Sequence, residues 1–209
     1  MAARAAQRGV NVLALTDHDD TGGLTEARER ASGPGVTFVN GVEISVTWGG
    51  HTVDIVGLHI DPAHPRLAGG LAQLRAGRHA RAETMARELD KVGIEGSLGG
   101  ARSYVTNPDL VGRTHFARFL AERGYARDVS SVFRKYLAPG KPGYVPHRWA
   151  DLGDAIDWIR ASGGQAVLAH PGRYPFNGVQ RDELFARFKD AGGVGVEVVT
   201  GSHTADQFE

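Results

Sequence analysis

The sequence predicts an α/β fold interrupted by a helical insertion, and three observations carry that prediction. Short apolar runs near both ends stop abruptly at acidic or histidine residues and give way to helical patterns. The middle of the chain is helical in its periodicity where the flanks alternate strand and helix. Its charge differs too: residues 75–141 hold 13 Lys/Arg against 7 Asp/Glu, and the remainder holds 11 against 17. The predicted boundaries are 1–62 and 146–209 for the α/β portion and 63–145 for the insertion.

Taken in order, the Ala/Arg-rich residues 1–8 predict a short amphipathic helix rather than a targeting segment. Val10–Leu15 is a buried strand, because parallel strands covered on both faces read as continuous apolar runs. Leu24–Ala31 is a helix stopped by Ser32-Gly33-Pro34-Gly35, and Val36–Asn40 is the next strand. Strand, helix and strand in succession imply a right-handed βαβ unit and a parallel sheet. Ile44–Trp48 and His51–Leu58 flank Gly49-Gly50 as a hairpin.

Leu67, Leu71, Leu74, Met85, Leu89 and Val92 fall at helical spacing with Gly93 as the stop, although Gly69-Gly70 and Gly77 weaken the first half. Phe116, Phe119 and Leu120 mark a helix ending at Gly124. Asp128 is the N-cap of another, carrying Val132, Phe133 and Tyr136 and stopped by Pro139-Gly140. Asp151 caps a helix with Ile156 and Ile159 on one face. Gln165–Ala169 is a strand, Asp182–Ala191 a helix, and Val194–Val199 the last strand.

Composition narrows the function classes. The 209 residues include no cysteine, nine histidines and equal numbers of acids and bases. Disulfides and thiolate-bound zinc are excluded. Neutrality argues against bulk electrostatic binding to duplex DNA. No apolar run reaches transmembrane length, so the expectation is a cytoplasmic protein without a membrane partner.

Three strand ends deliver a metal-ligating side chain: His18, Glu43 and His170. Each signal is weak alone, since a histidine before a proline or a glutamate after a strand is commonplace. Their repetition at corresponding positions points to a metal, and a mixed imidazole–carboxylate set suits manganese, iron or zinc. Pro171 biases His170 toward an extended backbone. His51 and Asp54 are three apart on one strand and face opposite ways, so at most one serves the site. Asp54, flanked by Val53 and Ile55, needs a partner or a cation. Asp17 and Asp19 are placed to orient the ligands.

His59, His64, His79 and His203 read as surface residues. The basic middle region suggests an anionic substrate, with Arg113, Lys141 and Arg173 at segment junctions where phosphate contacts belong. Arg134 and Lys135 are further candidates, though the last turn of a helix favours cations in any case.

Six motifs occur in series: Leu15-Thr16-Asp17-His18-Asp19, Gly41-Val42-Glu43-Ile44-Ser45, Val53-Asp54-Ile55-Val56-Gly57-Leu58, Arg113-Thr114-His115-Phe116, Gly140-Lys141-Pro142-Gly143-Tyr144-Val145 and Ala169-His170-Pro171-Gly172-Arg173-Tyr174. The series resembles the PHP (polymerase and histidinol phosphatase) superfamily along nearly the whole chain. It is most similar to the branch of nucleoside 3′,5′-bisphosphate phosphatases and 5′→3′ exoribonucleases.

The resemblance implies a distorted (β/α)7, TIM-like barrel with a helical insertion and up to three divalent metals, manganese first, with iron or zinc as alternatives. His18, Glu43 and His170 match family ligands, and Asp54 stands where the family usually carries histidine. The implied catalytic residues are His18, Glu43, His170 and His115. Arg113, Lys141, Arg173 and Arg134 are the implied substrate contacts.

The family's opening Asp-x-His-x-His strand and closing Gly-Ser-Asp-x-His strand are missing here, so the expectation is a barrel incomplete at both ends. The implied reaction is metal-assisted hydrolysis of a nucleoside bisphosphate or of the 5′ end of short RNA. The alternative is a catalytically impaired fragment that binds nucleotide or a partner. A third reading, another phosphoester such as histidinol phosphate, is disfavoured by the Arg-Thr-His-Phe and Gly-Lys-Pro-Gly-Tyr segments.

Overall fold

In the computed structural model, which describes residues 2–33, 35–105 and 107–201, the chain divides into two compact units. One is Met1–Ala72 with Arg148–Glu209, and the other is Gln73–His147. The elements run α1 (Ala2–Gln7), β1 (Val12–Leu15), α2 (Leu24–Ser32), β2 (Thr37–Trp48), β3 (His51–Leu58), α3 (Pro65–Asp90), α4 (Ser97–Arg102), α5 (Arg113–Glu122), α6 (Val129–Val132), α7 (Leu152–Ala161), β4 (Gln165–Leu168), α8 (Gly178–Asp190) and β5 (Gly195–Val196).

The five strands of the first unit form one sheet in the order β1-β2-β3-β4-β5. The expected parallel sheet is corrected to a mixed one. β1/β2 and β4/β5 are parallel, while β3 runs antiparallel to both β2 and β4. The βαβ unit that suggested a parallel sheet is real, but the two-residue turn at Gly49-Gly50 reverses the next strand. Both turn glycines have positive φ, 55° and 80°, as a type I′ hairpin turn requires.

The strands expected over Val36–Asn40 and Ile44–Trp48 are a single 12-residue strand. Its antiparallel register with β3 is unbroken from Gly41↔Leu58 to Trp48↔His51. The last strand contracts from the expected Val194–Val199 to Gly195–Val196, with Val194, Val198 and Val199 exposed.

Because the register is unbroken, the two faces of the β2–β3 ribbon separate cleanly. Val42, Ile44, Val46, Val53 and Ile55 share one face and are fully buried. α7 packs on these strands with Ile156 and Ile159 buried. Glu43, Ser45, Thr47, Thr52 and Asp54 share the other face. Apolar burial of a Val or Ile side chain is worth about 1.5–3 kcal/mol, so one face holds the unit together and the other is released for polar groups.

Several helix expectations change. α3 is one continuous helix despite its glycines. A Cβ at Gly70 would lie 2.4 Å from the Trp158 ring, so that glycine admits α7 rather than breaking the helix. α8 begins at Gly178, earlier than the expected Asp182, because Asn177 Oδ1 accepts the Gln180 N–H at 3.0 Å. Asp128 caps as expected, accepting from Ser131 N at 2.7 Å, but α6 is one turn long and passes into a π-helical turn at Phe133–Leu137. α4 has no apolar periodicity to announce it and was not expected.

The second unit has its own core, built on Met85, Leu89, Ile94, Phe116, Phe119, Leu120, Val132 and Leu137. No helix among the described residues is long and apolar enough to cross a membrane.

Candidate metal centre

The polar face of β2–β3 builds the site. Glu43 and Asp54 are diagonal neighbours on it, since Ser45 pairs with Asp54 and Glu43 with Val56. His18 arrives from the end of β1, where the chain goes on pairing with β2. Glu43 N–H donates to Asp17 O at 3.1 Å, and Asp19 N–H donates to Glu43 O at 2.8 Å. His18 Nε2 lies 3.5 Å from Glu43 Oε2, and His18 Nδ1 lies 4.0 Å from Asp54 Oδ1. One ligand atom from each of His18, Glu43 and Asp54 falls within a 4.8 Å set.

His170 comes from the end of β4. Its Nε2 is 3.1 Å from Glu43 Oε1 and 3.9 Å from Asp54 Oδ2. All four predicted ligands therefore meet, with His170 joined through the carboxylates. Of the pair His51 and Asp54, Asp54 lies on the face of Glu43, and His51 packs edge-on against Phe176 on the other face.

Two corrections bear on the strand ends. The extended backbone expected for His170 is replaced by φ 28°, ψ 56°. A non-glycine residue at positive φ costs on the order of 1–3 kcal/mol unless its surroundings hold it. Here the His170 N–H donates to Glu197 Oε2 at 2.9 Å while the ring is tied to Glu43. Asp19 also has positive φ, 53°, and is fully buried. Its Oδ1 accepts the Ser45 N–H at 3.0 Å, so Asp19 braces β2 beside Glu43, whereas Asp17 is exposed.

The electrostatics follow from burial and contact. Burial pushes the Glu43 carboxyl up, but the His170 hydrogen bond and the charges of His18, His170 and Arg173 outweigh it and hold the group below its usual range. Burial, with Glu43 nearby, holds Asp54 above its usual range. The hydrogen bond to Glu43 raises His170 against the effect of burial. Asp54 Oδ1 and His170 Nδ1 are buried with no hydrogen-bond partner. A buried carboxylate oxygen in that condition costs free energy unless something electropositive meets it.

No family model matches the sequence. The chain is 54% identical over 203 residues to a 3′,5′-nucleoside bisphosphate phosphatase from Chromobacterium violaceum, covering 97% of this chain and 71% of that protein. It is 47% identical over 197 residues to the 5′-3′ exoribonuclease Rnm of Salmonella typhimurium, covering 93% of this chain and 67% of that protein. The chain belongs to this PHP-like phosphatase and exoribonuclease family.

Solved structures agree. An amidohydrolase from Chromobacterium violaceum, with bound sulfate and no metal, superposes with a TM-score of 0.93 at 53% identity, over 99% of this chain and 73% of that one. A crystal structure of a proposed metal-dependent phosphoesterase from Bifidobacterium adolescentis gives 0.83 at 25% identity, over the same shares.

The basic candidates divide between the two units of this family member. Arg173 is in the first unit, exposed, and close enough to act on Glu43 and His170. Arg113, His115, Arg134 and Lys141 are in the second. Arg113 opens α5 with its guanidinium 5.9 Å from the Phe133 ring centroid. His115 Nδ1 accepts the Gly112 N–H at 3.1 Å, and burial with Arg78 and Arg118 nearby lowers its pKa. Arg134 donates to the hydroxyls of Ser130 and Ser131 at 2.8 and 2.9 Å. Lys141 is exposed.

His64 and His79 are corrected from simple surface residues: His64 Nδ1 is buried without a hydrogen-bond partner, and His79 lies between Glu83 and Asp109 at 3.3 and 3.7 Å. His59 is exposed, and His203 lies outside the described residues.

Three supporting residues were missed in the sequence. Glu197 holds the His170 backbone. Tyr174 Oη accepts the Asp54 N–H at 2.8 Å, and its ring packs edge-on to His170 at 5.6 Å. Ser45 hydrogen-bonds the Asp54 carboxylate. Glu197 carried the same signal as Asp54, a lone carboxylate in an apolar run.

Proposed function

We propose that this chain is a metal-dependent phosphoesterase that removes phosphate from nucleoside 3′,5′-bisphosphates or nucleotides from the 5′ end of short RNA. The observation that carries this reading is the meeting of His18, Glu43, Asp54 and His170 on one sheet face in a chain so similar to a bisphosphate phosphatase. A catalytically impaired binding module is disfavoured by Asp54. It is not the histidine usual at that position, yet its carboxylate lies among the other ligands with a buried oxygen lacking any other partner.

The donor set fits a divalent cation. One imidazole and two carboxylates lie within 4.8 Å, and mixed nitrogen and oxygen donors suit manganese, with iron or zinc as alternatives. When bound, the cation supplies Lewis-acid polarisation of the phosphoryl oxygens. His18, Glu43 and Asp54 would hold it, and His170 would join once its proton is given up.

The chain's own groups do the rest. Glu43 Oε1 lies 3.1 Å from His170 Nε2, so the metal-free site keeps a proton between two groups that release it when both side chains turn to the cation. Arg173 balances the anionic substrate at the rim of the same unit. The proposal assigns 63–145 as a substrate lobe. In it, Arg113 and Lys141 bind the remaining phosphate and His115 assists proton transfer. Arg134, already engaged by Ser130 and Ser131, has the weakest claim. The sheet is proposed as part of a distorted (β/α)7 barrel.

The test is phosphate release from adenosine 3′,5′-bisphosphate by this 209-residue chain with added Mn²⁺. Release that chelator abolishes, that Mn²⁺ restores and that His170→Ala eliminates supports the reading. Folded protein that binds Mn²⁺ and adenosine 5′-monophosphate without releasing phosphate would overturn it in favour of the binding module.

A further inference from the structure

A second concave site lies in the first unit, away from the metal ligands. It is a cleft of about 320 Å³ between α2, the first residues of β2 and the chain leaving β3, with Arg28, Val36, Phe38, Asn40, His59 and Ile60 in its lining. Small-molecule sites begin at about this volume. Phe38 and Asn40 alternate with Glu43 along β2, so they face away from the metal ligands.

The chemistry of the cleft is one-sided. No carboxylate lines it among the described residues. Arg28 Nη2 donates to Asn40 Oδ1, and Asn40 Nδ2 donates to Ile60 O at 3.2 Å. That relay holds the guanidinium at the cleft, where no ion pair neutralises it among the described residues. The remaining N–H groups of its planar fork suit the oxygens of an anion. Beneath them Val36 and Ile60 are buried, and an apolar floor strengthens charged hydrogen bonds above it.

His59 supplies the second cation-forming group. It is one of three non-glycine residues at positive φ among those described, at 59°, and the other two, Asp19 and His170, are at the metal centre. Its neighbours hold it there. Ile60 O accepts from Asn40, and Asp61 N–H donates to Ser162 O at 2.9 Å. Glycine adopts this conformation freely, so an imidazole here costs stability that a glycine would not. Such outliers collect at ligand clamps. The His59 ring makes no hydrogen bond or ion pair among the described residues.

We propose that this cleft is a phosphate-binding site, with the Arg28 guanidinium and the His59 imidazole donating to the phosphate oxygens. Free phosphate and the phosphate of a mononucleotide share this chemistry, and both are products of the reaction proposed above. The cleft is on the other face of the strand from the metal ligands, and its occupancy does not require phosphoesterase activity.

The experiment is methyl NMR on the full chain with chelator present, so that no ester is cleaved. The Ile60 δ1 methyl, assigned through Ile60→Val, reports on the cleft. Inorganic phosphate and adenosine 5′-monophosphate should each shift it saturably at constant ionic strength, while adenosine and acetate should leave it in place. Tighter binding of the nucleotide identifies a nucleotide site, and equal affinities identify a site for free phosphate. Arg28→Ala should weaken either ligand about 10-fold, the loss expected for one charged hydrogen bond, and Arg28→Lys should recover part of it. His59→Gly should raise the melting temperature while weakening phosphate binding, which a purely structural histidine would not do.

Absence of a saturable shift with either phosphate ligand overturns the proposal. So does an equal shift with acetate, or an affinity unchanged in both Arg28→Ala and His59→Gly. Phosphate release at the metal face, read separately, leaves each of these outcomes as it stands.

Discussion

The two faces of the β2–β3 ribbon carry opposite kinds of side chain. On one, Val42, Ile44, Val46, Val53 and Ile55 have no exposed surface at all. On the other, Glu43, Ser45 and Asp54 line a polar floor that includes a buried carboxylate oxygen without a hydrogen-bond partner. The same backbone carries both. Because side chains alternate, neighbours in sequence such as Glu43 and Ile44 have nothing to do with each other energetically. The ribbon can hold an unfavourable polar cluster because its other face is already fully committed to the core.

Neighbouring substitutions break the comparison most directly. Ile44→Ala should cost about 2–5 kcal/mol, read as a lower denaturant midpoint, while the metal affinity of the remaining folded protein is kept. Glu43→Gln, one residue earlier, should lower the midpoint of the metal-free protein less, through the weakened contact with His170, and lower Mn²⁺ affinity at least about 100-fold. If both changes moved stability alike, the division between faces would be wrong.

Glu197→Gln comes next. It weakens the support of the strained His170 backbone without touching a ligand atom, and losing such a partner typically costs about 10–100-fold in metal affinity. Calorimetric titration with Mn²⁺ measures it, and an unchanged affinity would leave the backbone of His170 held by something else.

The pH dependence sharpens the same contrast. His170 is raised, so metal-free folding gains stability that is fully present below the unfolded histidine pKa and is lost as pH rises through the higher folded value. Asp54, also raised, acts in the same direction across the carboxylate range. The metal-free protein should therefore melt at lower temperature at pH 8 than at pH 6. Added Mn²⁺ should reverse that order, since ligands must lose their protons to bind. Thermal melts at the two pH values, with and without Mn²⁺, give the sign.

The smallest effect expected is at a helix end far from this ribbon in sequence. Asn177→Ala removes the cap of α8 and should cost about 1 kcal/mol, with Mn²⁺ affinity unaltered.

Most of the strands and helices were legible in the sequence because their signals are local. Apolar runs, the Gly49-Gly50 turn and the Asp128 and Asp151 caps are written in adjacent residues. Where local signals misled, a distant partner had decided. Gly70 looks like a helix breaker until Trp158 fills the space beside it. The early start of α8 is a local signal instead, the reciprocal cap of Asn177 and Gln180 three residues apart. The last strand shortened to two residues, leaving exposed valines that sequence alone reads as buried.

The candidate site was legible in its parts. His18 and His170 each stand where an apolar strand ends, Glu43 proves to lie inside the 12-residue β2 and not at an end, and Asp54 is a carboxylate with no local reason to be there. Composition alone settled the absence of thiolate chemistry, and alternation alone allowed only one of His51 and Asp54 to serve. Only the tertiary structure decided that the four ligands meet and that Glu197 holds His170 at positive φ. These depend on strand register and on contacts between residues from 27 to 127 positions apart. One register step would exchange every side chain between the two faces, and no pattern of neighbouring residues records which register a folded sheet will take.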